Sequence, residues 1–141
     1  MYDTIIIGAA LFTEGSTTRK LIANAKALLN PGGRIVLVHV TEPMPAFYAV
    51  TIPRENLERR RKEVERTLAS LATAAKGAKV ETDLRTGNPA HEILDSATDN
   101  GADLIMLASH NPDLRDYFIG STAARVVRHA QCSVLVSRQK D

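Results

Sequence analysis

The chain has 141 residues, 44% of them hydrophobic and 24% charged, a composition that excludes a disordered or fibrous protein. Eighteen Lys and Arg against sixteen Asp and Glu leave a net charge of +2, too small a surplus to mark a nucleic-acid surface or a polybasic membrane anchor. The single cysteine, Cys132, excludes an internal disulfide, and the longest apolar run, Ile5 to Phe12, falls well short of the roughly 20 residues that cross a bilayer. One domain over residues 1–141 is expected, and an N-terminus without a basic n-region points to a cytoplasmic protein.

In chain order, Thr4-Ile5-Ile6-Ile7 is a β-branched run without polar interruption, which predicts a strand covered on both faces. Residues 16–29 carry Leu21, Ile22, Ala25, Leu28 and Leu29 at helical spacing and stop at Asn30-Pro31-Gly32-Gly33, a strong helix terminator. Arg34 to Val40 predicts a second buried strand, which empties at Pro43-Met44-Pro45 into an irregular loop. From Pro53, suited to a first helical position, Leu57, Val64, Leu68, Leu71 and Ala75 define a long helix, with Arg59, Arg60, Arg61 and Lys62 read as its solvated face.

Val80, Thr82 and Leu84 alternate with Glu81 and Asp83, the pattern of an edge strand with one face less covered. Asn88 and Pro89 read as N-cap and first residue of a helix that closes at Asn100-Gly101. Asp103 to Ala108 is a fourth, buried strand; Gly120-Ser121 opens a last helix, and Ser133 to Val136 forms the fifth strand. Strands alternating with helices at this spacing require right-handed crossovers and a mostly parallel sheet, so the predicted fold is a doubly wound, Rossmann-like α/β sandwich. With strand order 3-2-1-4-5 and helices on both faces, the ligand crevice falls between strands one and four. The segments converging there are Gly8 to Leu11, Val40-Thr41, Ala108 to Asn111, and Gly120 to Thr122.

The last third reads Ala102-Asp103-Leu104-Ile105-Met106-Leu107-Ala108-Ser109-His110, then Gly120-Ser121, then Val126-Val127-Arg128-His129-Ala130 with Cys132 and Val134-Leu135-Val136. Together with Tyr2 to Ile7 and Leu37-Val38-His39-Val40, this resembles the universal stress protein family across nearly the whole chain. The resemblance implies the adenine nucleotide alpha hydrolase-like fold and, in one branch of the family, ATP binding through a G-x-x-G-x9-G-[ST] signature. Here Ala108 and Asn111 stand at the first two glycines, and Gly120-Ser121 follows a loop one residue shorter. The pattern Ala108-Ser109-His110, Pro112-Asp113 and a downstream Gly-Ser resembles a bacterial subgroup expected to hold nucleotide.

Each change has a physical meaning. Ala108 adds one methyl where a glycine allows close backbone approach. Asn111 tolerates left-handed geometry, but Pro112 pushes it toward extended conformations, so this loop takes its own path. The resemblance implies that Ala10 stands where the family commonly has an Asp contacting the nucleoside, and the loss of that hydrogen bond costs about 0.5–1.5 kcal/mol. The amides of Gly120, Ser121 and Thr122 at a helix start suit phosphate, and the resemblance implies that the Val40 main chain reads the adenine edge. The candidate site is therefore Gly8, Ala9, Ala10, Val40, Ala108, Ser109, His110, Asn111, Gly120, Ser121 and Thr122.

Gly120-Ser121 also reads as a plain helix cap, and His110 as a loop residue with local hydrogen bonds. His39, His91, His129 and Cys132 have no metal-ligand spacing, so no metal cluster is expected. The leading expectation is a sensor or regulator that binds ATP, ADP or AMP and is not an efficient enzyme. Two alternatives stand beside it: a stress-response dimer with an empty crevice that acts through protein partners, and a slow ATPase using Asp113 or Asp116 with Mg²⁺. The family commonly dimerises through its final strand, which implies a homodimer through residues 133–137 and a regulatory protein partner, with no nucleic acid and no membrane.

Overall fold

The computed structural model describes residues 1–9, 15–43, 46–109 and 120–138. Their elements run β1 (Tyr2–Gly8), α1 (Ser16–Leu28), β2 (Leu29–Thr41), α2 (Ala46–Thr51), α3 (Arg54–Ala74), β3 (Lys79–Thr86), α4 (Pro89–Asn100), β4 (Leu104–Ser109), α5 (Ser121–His129) and β5 (Ser133–Arg138). The five strands form one sheet in the order β3-β2-β1-β4-β5, and every neighbouring pair is parallel. The doubly wound topology expected from the alternation is the one found.

The apolar runs are continuous because both faces of the sheet are covered. Ile5, Ile7, Leu37 and Met106 pack with Leu21 and Ile22 of α1 and Leu68 and Leu71 of α3. Ile6, Val36, Val38, Ile105 and Leu107 pack on the opposite face with Ile93 of α4 and Val126 of α5. Successive strand residues point to opposite faces, so a strand between two helical layers has no polar positions to alternate. No helix among the described residues is long and apolar enough to cross a membrane.

Three local readings change. The Asn30-Pro31-Gly32-Gly33 terminator does stop α1 at Leu28, but the chain enters β2 at once: Leu29 pairs with Tyr2, residues 30–33 bulge, and Arg34 rejoins opposite Thr4. Gly32, at φ 81°, supplies the left-handed residue that the bulge needs. A short helix, α2, not anticipated from the sequence, lies between the Pro43-Met44-Pro45 segment, of which Met44 and Pro45 are outside the described residues, and Pro53. Pro53 is the N-cap of α3 and not its first helical residue, with its carbonyl accepting from the amides of Asn56 and Leu57 at 3.0 and 3.4 Å.

β3 lies at the sheet edge as expected, but its polar face is covered. Asp83 accepts from Ser96 Oγ of α4 at 2.7 Å and from Arg85 Nε at 2.7 Å, and Arg85 Nη2 donates to Asp99 at 2.8 Å. Burial works against the Arg85 charge, but the pairings with Asp99 and Asp83 outweigh it and raise its pKa. Next to this network Arg34 donates to Glu81 at 2.9 Å and to the Asn100 carbonyl at 2.9 Å, satisfying the C-terminal end of α4. At the start of the strands, the Asp103 carboxylate accepts from the amides of Asp3 and Thr4 at 2.9 and 3.0 Å and ties β1 to β4.

Candidate functional site

The carboxyl ends of the strands open onto a cleft of about 950 Å³, at the upper end of the usual size for small-molecule pockets. Gly8, Ala9, Val40, Ala108 and Thr122, all expected at the site, line it. Gly120 and Ser121 stand one step away as N-cap and first residue of α5, while Ser109 ends β4 opposite Arg138 of β5. Ala10, His110, Asn111, Asp113 and Asp116 lie outside the described residues.

Strand geometry aims the main chain of Val40 at this space. The carbonyl of Val38 accepts from Ala9 N at 2.7 Å, so it faces β1, whereas the carbonyl of Thr41 accepts from Gly87 N at 3.0 Å on the β3 side. Peptide groups alternate along a strand, so Val40 presents its N–H and C=O on the same side as Val38. β1 ends at Gly8, two register positions earlier. A donor and an acceptor therefore project past the end of the neighbouring strand, into the cleft.

Across the cleft, α5 begins without a side-chain cap at Gly120, and only from Ala124 does an amide find its intrahelical partner, the Gly120 carbonyl at 2.9 Å. The first-turn amides of Ser121, Thr122 and Ala123 thus form an electropositive end suited to an anion. The N-terminus of α4 differs, because Asn88 Oδ1 accepts from His91 N at 3.0 Å.

The two glycines of the site differ in what requires them. A Cβ on Gly8 would meet Leu107 Cδ2 at 2.7 Å, so packing of β1 against β4 explains that glycine without a ligand. Gly120 has an ordinary φ of −57°, and no described atom lies within 4 Å of the position its Cβ would take. Neither backbone conformation nor packing among the described residues requires glycine at 120, where it serves as the N-cap of α5.

Several lining residues were not anticipated. His39 faces the cleft with Nδ1 3.3 Å from the Ala9 carbonyl, and its signal was the one polar residue in the apolar run of β2. Arg60 and Arg61 of α3, read as solvated, border the cleft between Leu57 and Val64. Arg61 is paired with Glu65 at 3.3 Å. Elsewhere, His91, Glu92 and Asp95 bring possible metal-ligating atoms within 4.8 Å of one another on α4, but Asp95 is paired with His91 at 3.2 Å and Glu92 with Arg85 at 3.7 Å. Burial pushes the Cys132 thiol above its ordinary range and Asp103 adds to the effect, the opposite of an activated thiolate.

The universal stress protein family model matches residues 1–138. Universal stress protein G of Escherichia coli O157:H7 is 31% identical over 144 aligned residues, covering 98% of this chain and 100% of the relative. Among solved structures, hypothetical protein MJ0577 superposes with a TM-score of 0.81 at 23% identity, covering 100% of this chain and 99% of that one. A universal stress protein in complex with cAMP superposes at 0.69 with 16% identity and 97% of both chains covered. Another, from Archaeoglobus fulgidus in complex with dAMP, superposes at 0.62 with 18% identity, covering 96% of this chain and 97% of that one.

Proposed function

The chain belongs to the universal stress protein family, and on that premise we propose that it binds an adenine nucleotide in the cleft and acts as a sensor or regulator. One observation carries the reading: the main-chain donor and acceptor of Val40 face the same cleft as the uncapped first turn of α5. The N–H and C=O of Val40 match N1 and the N6 amino group of adenine, and the amides of Ser121 and Thr122 match a phosphate. The open space at Gly120 supports the fit, since a phosphate there needs a residue without a side chain. Ala108 and Ala9 line the path between the two ends, with Ala108 costing the ligand only one methyl of clearance. Relatives of the same fold, one in complex with cAMP and one with dAMP, support the ligand class.

The experiment is calorimetric titration of nucleotide-free protein with ATP, for the wild type and for Gly120→Val. A Cβ at 120 meets no described atom within 4 Å, and a valine side chain there extends into the space assigned to phosphate. Micromolar binding by the wild type and its loss in the variant are expected; equal affinity in the two contradicts the reading. The same proposal extends to assembly: β5 is an edge strand, so a second copy pairing along residues 133–137 would complete the sheet. Sedimentation at twice the chain mass is expected, and a monomer at all concentrations contradicts it.

A further inference from the structure

We propose that His39 is a specificity residue of the cleft, with its Nε2 accepting a hydrogen bond from a ribose hydroxyl of the bound nucleotide; the proposal rests on the adenine-nucleotide reading above. His39 follows Ile35 and Leu37 on the face of β2 that packs against α1 and α3, so an apolar row ends in an imidazole. Its register partner Leu84 on β3 and Ala9 after β1 border the same core. The ring is half-buried where β1 stops and the cleft begins.

Hydrogen-bond chemistry fixes the tautomer. Nδ1 lies 3.3 Å from the Ala9 carbonyl, and a carbonyl oxygen only accepts, so in the neutral ring the proton sits on Nδ1 and Nε2 carries a lone pair. Satisfying Ala9 uses one ring nitrogen. The other forms no hydrogen bond and no ion pair with any described residue. No fully buried side-chain nitrogen or oxygen among the described residues lacks a partner, so Nε2 is accessible, and the space that the ring lines is the cleft.

The donor that Nε2 takes follows from its direction. Main-chain hydrogen-bonding groups of a strand lie in the plane of the sheet, so a base read by the N–H and C=O of Val40 lies near that plane, and so do its N6 amino hydrogens. The His39 side chain leaves the sheet on the α3 side, whereas α5, whose first turn is assigned to phosphate, covers the opposite face. An acceptor placed there is turned away from both the amino group and the phosphates. The remaining donors of an adenine nucleotide are the 2′ and 3′ hydroxyls of the ribose, which stands out of the base plane.

The test is calorimetric titration of nucleotide-free protein with ATP, 2′-deoxy-ATP and 3′-deoxy-ATP, for the wild type, His39→Asn and His39→Gln. The Asn amide takes the place of Nδ1 and keeps a donor for the Ala9 carbonyl, with no acceptor at the Nε2 position; Gln carries its amide oxygen to the Nε2 position. The wild type is expected to bind ATP about threefold to tenfold more tightly than one of the deoxy analogues, the difference of one hydrogen bond, and the weaker analogue identifies the hydroxyl. In H39N, ATP is expected to fall to the affinity of that analogue, whereas H39Q keeps the preference. The wild-type comparison needs no variant, so it decides even where a substitution costs stability. Equal binding of all three nucleotides by the wild type, a preference that survives in H39N, or one that H39Q loses, overturns the role of His39 alone. Absence of ATP binding by the wild type overturns it together with the adenine-nucleotide reading.

Discussion

The amide of Ala9 donates to the carbonyl of Val38 at 2.7 Å, the last rung that joins β1 to β2 among the described residues. Everything the cleft offers to a base follows from that rung, because the next main-chain groups on the same side of β2 are those of Val40. A donor and an acceptor in that order fit adenine and oppose guanine, whose O6 and N1–H reverse the pattern. ATP is therefore expected to bind at least about tenfold more tightly than GTP, since a mismatched edge leaves polar groups unpaired. Competition of the two nucleotides for the stripped protein checks this, and equal affinities would show that Val40 does not read the base.

Gly8 and Gly120 give opposite expectations for the same substitution. Gly8→Val forces a Cβ to 2.7 Å from Leu107 Cδ2 and is expected to cost about 1–3 kcal/mol of stability by overpacking. Gly120→Val is expected to cost no more than the modest loss of a helix-start residue, about 1 kcal/mol. Urea unfolding of both variants separates the two roles. Equal destabilisation would mean that position 120 is also a packing position.

Much of this fold is legible in the sequence because burial on both faces removes alternation. Ile5 to Ile7, Ile35 to Val38 and Leu104 to Leu107 read as central strands for that reason. The bulge at residues 30–33 is not legible, since a helix terminator and a strand entry use the same Pro and Gly residues. The role of α3 was open to a closer reading: Arg60 and Arg61 sit between Leu57 and Val64, beside the apolar stripe that continues to Leu68 and Leu71. They are exposed, as their charge suggests, and their position beside the stripe puts them at the rim of the cleft. The polar stripe Glu92, Ser96 and Asp99 of α4 likewise signals that the polar face of β3 is covered.

That covered face carries its own expectation. Arg85 is the shared cation of Asp83, Glu92 and Asp99, with its side chain only 18% exposed. Arg85→Ala leaves Asp83 partly buried without its cation and is expected to cost about 1–3 kcal/mol, below the full buried-pair value because water reaches the site. Arg85→Lys is expected to restore little, because a single ammonium cannot span Asp83 and Asp99 together. Chemical denaturation of the two variants decides, and full rescue by lysine would reduce the network to a simple point charge.

Asp103 gives a pH dependence with a defined sign. Burial raises its pKa, but the amides of Asp3 and Thr4 outweigh burial and hold the carboxyl below the ordinary range. A carboxylate with a lowered folded pKa contributes stability above its unfolded pKa of about 4, and this is lost as the pH falls through the lower folded value. Asp103→Asn is expected to lose about 1–2 kcal/mol at neutral pH and to show a smaller drop in unfolding midpoint on acidification than the wild type. Thermal scans from neutral to acid pH measure both, and parallel profiles would mean that the carboxylate charge at 103 contributes nothing.

The most direct measurement of the central claim is to denature freshly purified protein, identify any released small molecule by mass spectrometry, and titrate the stripped protein with ATP. A stoichiometric adenine nucleotide, or micromolar binding on titration, is the expected result. A protein that releases no nucleotide and produces no heat at millimolar ATP would contradict the account, leaving the cleft vestigial and moving the function to surfaces that meet other proteins.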